Sequence, residues 1–91
     1  MAYSIKWSSR SLDELRKLPR IVSKRIINKL SLSEENPNRY LESLSGDHGY
    51  KIRVGDYRII VDLLENEKII PVRAIGHRKK VYKRNLWVYW F

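Results

Sequence analysis

The chemistry in this sequence is cationic. Tyr50-Lys51-Ile52-Arg53-Val54 alternates apolar and basic residues, Gly55-Asp56 follows, and Tyr57-Arg58-Ile59-Ile60-Val61-Asp62-Leu63-Leu64 returns. A period of two belongs to a strand, and glycine supplies the positive φ that a two-residue hairpin turn needs. Such a turn fixes the register: Val54 opposite Tyr57, Arg53 opposite Arg58, Ile52 opposite Ile59 and Lys51 opposite Ile60. Arg53 and Arg58 then share one face, with Lys51 two positions along it. Tyr50, Ile52, Val54, Tyr57, Ile59 and Val61 point the other way. Directly opposed like charges cost a few tenths to about 1 kcal/mol per pair, and an anion between them removes that cost. A phosphate site is the expectation. The alternatives are that Asp62 or another acid neutralises the cations, or that solvent screens them.

A second cationic segment lies downstream. Gly76-His77-Arg78-Lys79-Lys80-Val81-Tyr82-Lys83-Arg84 holds five Lys/Arg in nine residues. A basic run by itself is usually a solvated loop. Here it carries a tyrosine that can stack on a base while His77, Lys79, Lys80, Lys83 and Arg84 contact RNA. The whole chain has 19 Lys+Arg against 10 Asp+Glu, a formal charge of +9. Residues 48–84 carry ten of those cations against four acids, so the anion-binding surface is expected in the second half.

The elements that must position these residues follow from the rest of the pattern. Ninety-one residues make one domain, 1–91. The absence of cysteine excludes disulfides, thiolate catalysis and cysteine-ligated metal sites. No acidic cluster suggests a metal pair, and no cofactor is expected. No apolar run approaches the ~18 residues of a membrane span. The N-terminus lacks the apolar core of a signal peptide, so a cytoplasmic protein without membrane contact is expected. Tyr3, Ile5 and Trp7 share one face of a first strand. Ser11-Leu12-Asp13-Glu14 has capping-box spacing, and Leu12, Leu15 and Leu18 follow at helical intervals. Pro19 suits a first turn, so a second helix begins there. Val22, Ile26 and Leu30 line its inner stripe with Ile27 beside them, and Lys24, Arg25 and Lys29 face outward. That helix ends before Pro37. A last strand runs from Ile69 to Ile75, with its position left open because proline at 71 avoids central strands. The order β-α-α-β-β-β describes an α+β domain, a helical hairpin on one face of an antiparallel sheet. The apolar tail at 86–91, Leu86 to Phe91, either folds back onto the body or meets a partner. His48 is read as a loop residue.

Tyr50 to Ile60 with its Gly-Asp-Tyr-Arg hairpin, Val72-Arg73-Ala74-Ile75-Gly76-His77-Arg78, and Val81-Tyr82 resemble the RelE branch of the RelE/ParE toxin superfamily. The resemblance covers nearly the whole chain. It implies a toxin that cleaves messenger RNA in the ribosomal A site and is held in a hetero-oligomer by a cognate RelB-like antitoxin. It also implies site positions: Lys51 and Arg53 on the second strand, Arg58 after the hairpin tyrosine, Arg78 in the Gly-x-Arg segment, and Tyr82 near the C-terminus. Two departures stand out. Arg53 occupies a position where some members carry lysine, and the Arg78–Tyr82 spacing is short, which leaves Tyr89 as a substitute.

The residue types suit that chemistry. Metal-free RNA cleavage requires activation of the 2′-OH, stabilisation of a phosphorane and protonation of the leaving 5′-oxygen. Arginines around Lys51 disfavour its ammonium form, which makes it the expected general base, because arginine does not deprotonate. Arg53, Arg58 and Arg78 bear on phosphate charge, and Tyr82 stacks on a base or orients the 2′-OH. His77 is the rival base or acid. Two further readings stand beside this one: a ParE-like toxin that inhibits DNA gyrase without nuclease activity, and a basic nucleic-acid-binding module.

Overall fold

The computed structural model describes residues 2–44 and 49–79. The chain begins with β1 (Ser4–Trp7), α1 (Ser9–Arg16), α2 (Arg20–Glu35) and the single turn α3 (Pro37–Tyr40). It continues through β2 (Glu42–Ser43), β3 (Tyr50–Val54), β4 (Tyr57–Val61) and β5 (Ile69–His77). The sheet order is β1-β5-β4-β3-β2. The expected α+β class holds. The sheet is mixed rather than antiparallel, because β1 runs parallel to β5, with Ile5 opposite Ile70 and Trp7 opposite Val72.

One face of the sheet is buried under α2. Ile26 and Leu30 meet Ile52, Val54, Ile59, Val61, Ile70, Val72 and Ile75 in a single cluster. Val22 joins its margin as expected, whereas Ile27 is 45% exposed and lies off the inner stripe. The β3–β4 register is the one the sequence dictates, including Arg53 opposite Arg58 and Lys51 opposite Ile60.

Helix α1 starts three residues earlier than the Ser11 reading. Ser8 is its N-cap: the Ser8 side chain accepts from the Ser11 N–H at 3.1 Å, and Ser11 Oγ accepts from the Ser8 N–H at 2.9 Å. Glu14, the residue expected to close a box on Ser11, instead accepts from the Ile75 N–H at 2.8 Å. That bond covers the edge β5 presents beyond the last residue of β1. Glu34 does the same for β1, accepting from the Ile5 N–H at 3.0 Å.

Strand β5 is internal, despite Pro71. A register shift opposite Ile60/Val61 brings Pro71 opposite Asp62, whose N–H donates to the proline carbonyl at 2.9 Å. The absent proline N–H therefore removes one ladder bond only. The strand also runs two residues beyond its expected end, so Gly76 and His77 belong to the sheet.

Candidate functional site

The site gathers on the face of the β3–β4–β5 sheet away from α2. Arg53, Arg58 and Gly76 form one row across the three strands, and Lys51, Ile60 and Ala74 form the next. Residues directly opposed across an antiparallel pair have Cα atoms roughly 4.5–5.5 Å apart. Gly76 puts no side chain beside Arg58, and Ile60 and Ala74 make a buried apolar floor next to the cations.

Arg58 differs from the expectation of a surface cation. It is 8% exposed, and its Nη1 donates to the carbonyls of Gly55 and Tyr57, both at 2.8 Å. Both acceptors belong to the turn that Arg58 follows, so this guanidinium is pinned by its own hairpin. Its Nε is buried with no hydrogen-bond partner among the described residues. A buried donor left unpaired costs about 1–3 kcal/mol, more when charged.

Arg53 and Arg78 are held loosely. Arg53 Nε lies 3.3 Å from Glu42 on β2, with the two side chains 58% and 48% exposed. Arg78 Nε lies 3.9 Å from Asp56, and its N–H donates to the Asp56 carbonyl at 2.8 Å, which carries the β4–β5 pairing one residue past His77. Exposed pairs of this kind contribute roughly 0–1 kcal/mol. Acids thus reach the cluster, but they are Glu42 and Asp56. Asp62 binds Arg73 instead, accepting from its Nε at 2.7 Å. Lys51 is half-buried on the same face as Arg53.

His77 stands apart. It pairs with Tyr57, whereas Arg58 pairs with Gly76 one position away. Its ring meets Tyr57 edge-on, centroids 5.7 Å apart, and its Nδ1 accepts from the Lys79 N–H at 3.3 Å. These contacts fit a packing residue. Lys79 is exposed. Tyr82, Lys80, Lys83, Arg84, His48, Tyr89 and the tail at 86–91 lie outside the described residues. Among the described residues no three His, Asp or Glu side chains gather as a metal would require, and no helix is long and apolar enough to cross a membrane.

The sequence pattern gives Arg25 no role beyond facing outward. In the fold its guanidinium lies against the β3–β4 turn, with Nη2 3.7 Å and Nη1 3.9 Å from where a Cβ on Gly55 would stand. Gly55 has φ +58, so the turn itself requires glycine. The i, i+4 spacing of Arg25 and Lys29 is the one signal in the sequence that two cations share that side of α2.

A helix-backed mixed sheet with arginines converging around a hairpin tip defines a class of small basic α+β domains. The family model for the ParE toxin of the type II toxin–antitoxin system parDE matches residues 5–82. A RelE-like toxin protein of Escherichia coli is 26% identical over 89 residues, 94% of each chain. The intact E. coli RelBE toxin–antitoxin complex is similar at 27% identity and TM-score 0.73, covering 84% of this chain and 96% of that one. The free E. coli RelE toxin, as a two-arginine mutant, shares the fold at 24% identity and TM-score 0.77, covering 97% and 93%. The chain belongs to the RelE/ParE superfamily, as a RelE-family toxin of a toxin–antitoxin system.

Proposed function

We propose that this toxin is an endoribonuclease that cleaves messenger RNA in the ribosomal A site, and that a RelB-like antitoxin neutralises it. The observation that carries the proposal is Arg58, a pinned and buried guanidinium with an unpartnered Nε beside Arg53. A phosphate oxygen is the chemistry that such an arrangement lacks. In the proposed reaction Lys51 accepts the 2′-OH proton, and the 2′-oxygen bonds to the adjacent phosphorus. Arg53 and Arg58 stabilise the charge on the phosphorane, with Arg78 beside the departing 5′-oxygen. Tyr82 stacks on a flanking base. The P–O5′ bond breaks and the 5′-oxygen takes up a proton from solvent, to which Lys51 returns the one it accepted, leaving a 2′,3′-cyclic phosphate and a 5′-hydroxyl. The ribosomal setting rests on the likeness of the hairpin and Gly-His-Arg residues to RelE toxins. The antitoxin rests on relatives solved as RelBE complexes, from E. coli and from Pyrococcus horikoshii at 25% identity and TM-score 0.72.

The match to the ParE model supports a second reading, inhibition of gyrase by binding alone. Mapping transcript ends after a short pulse of expression separates the two. Cleavage within translated codons, with cyclic-phosphate ends, is the expected result. Intact transcripts with gyrase-dependent DNA breaks would instead establish the second reading.

A further inference from the structure

Between α2 and the β3–β4 turn lies an open cleft of about 260 Å³, lined by Arg25, Asn28, Lys29, Leu32, Arg53, Val54 and Gly55. We propose that this cleft is a second backbone-binding position for single-stranded RNA, holding a phosphate and sugar of the strand whose reacting phosphate sits at Arg58. The inference rests on the ribonuclease reading and extends it to a surface outside the reacting residues.

Charge is the first support. Three of the seven lining residues are cationic. Among the described residues no carboxylate forms an ion pair with Arg25 or Lys29; Lys29 Nζ sits 5.5 Å from the centre of the Tyr40 ring. Glu42 pairs with Arg53, and no acid is among the lining residues.

Continuity is the second support. Arg53 lines the cleft and also stands opposite Arg58 in the β3–β4 register, so the two positions adjoin at one residue of β3. Cations also flank the turn: Arg25 packs on Gly55, and Arg78 pairs with the next residue, Asp56. A ligand that satisfies both ends must repeat its negative charge along its length, as a nucleic-acid backbone does.

Shape is the third. The cleft falls below the roughly 300–1,000 Å³ of small-molecule pockets. Leu32, 52% exposed, and Val54 offer an apolar wall for a ribose or base edge, and Asn28 offers an amide donor and acceptor. An acidic protein segment could use the cations, but it has no need of the link through Arg53 to the Arg58 position.

The test compares wild-type toxin with R25Q/K29Q and, separately, N28E, after circular dichroism confirms that each is folded. The probes are 2′-deoxy-blocked oligonucleotides: a trinucleotide, and a strand of roughly nine nucleotides, within the usual ~4–16-nucleotide range of single-strand sites. The expected result is unchanged trinucleotide affinity in both variants and weaker binding of the longer strand. For R25Q/K29Q the salt slope should fall by about 0.7 for each phosphate that is no longer neutralised. Equal affinity and slope for the longer strand in wild type and variants would overturn the cleft assignment and leave the Arg58 position standing. If R58M also bound both probes like wild type, the ribonuclease reading would fall with it. Release of a poly-glutamate peptide by the variants, with RNA binding unchanged, would assign the cleft to an acidic protein segment and overturn the inference.

Discussion

The start of α1 and the tip of the β3–β4 hairpin each bury a polar side chain, and they treat it in opposite ways. Ser11 is fully buried, accepts from the Ser8 N–H, and donates to the Ser8 carbonyl at 2.9 Å. Arg58 is nearly as buried, yet it ties up one nitrogen and leaves another without a partner among the described residues. A satisfied small hydroxyl contributes to folding at little cost. A half-satisfied guanidinium works against folding, because desolvating a cation is expensive unless an anion compensates. The contrast separates a residue that serves the fold from the one on which the ribonuclease proposal rests.

The strongest way to break this comparison is to remove the charge at the tip while keeping its volume. R58M should leave stability unchanged or raise it, since an apolar side chain of similar size does not bury an unpaired donor. Cleavage should fall by roughly 10²–10³, the scale of a missing electrostatic donor at a reacting centre. Arg78→Ala should reduce cleavage by a similar factor with unfolding unaffected, because that side chain is half exposed and its acid partner is 3.9 Å away. Transcript-end mapping paired with urea unfolding checks both. A destabilised R58M that still cleaves would make Arg58 a strut of the hairpin.

Salt sharpens the same point with a smaller effect. If one phosphate is neutralised at Arg53, Arg58 and Arg78 and a second in the cleft, the affinity for single-stranded RNA should follow salt with a slope of about −1.4, roughly 7-fold weaker binding for a fourfold rise in salt. A flat response would assign the +9 charge to solubility.

At the other region the effect should be confined to the fold. Ser11→Ala removes half of the capping box and should cost about 1 kcal/mol, within the range measured for N-cap removal. Cleavage per folded molecule should not change. Thermal melts alongside cleavage assays would show whether the two regions are as separable as their bonding implies.

The same two regions show what could be read from the chain before its structure. The hairpin was legible residue by residue, because period-two alternation around Gly55-Asp56 leaves one register that keeps the apolar face together, and that register is present. The helix start was less so. The Ser11-to-Glu14 spacing points to the wrong residue, since Ser8 is the one that caps the helix. The Glu14 carboxylate serves Ile75, 61 residues away, a partner that no local pattern announces. The parallel pairing of β1 with β5 is hidden for the same reason, and so is the interior place of Pro71, which a register shift makes tolerable. The cationic face was readable as a face. The bonding of Arg58 was not, since no local pattern announces that its Nη1 returns to the carbonyls of Gly55 and Tyr57.

The smallest expected effect concerns Glu42, which decides how far the tip is already neutralised. Its pair with Arg53 spans 3.3 Å and is about half exposed on both sides, so solvent and salt screen it. Measured exposed pairs contribute about 0.2–1 kcal/mol. Glu42→Gln should therefore shift stability by no more than a few tenths of a kcal/mol. It should strengthen RNA binding slightly at low salt, because Arg53 no longer exchanges a carboxylate for a phosphate. The gain should vanish as salt rises, since the competition it relieves is itself electrostatic. A large drop in stability would place Glu42 with Ser11 among the residues that hold the fold. Unchanged binding at every salt concentration would mean that Arg53 does not meet the phosphate, and the tip would then act through Arg58 and Arg78 alone.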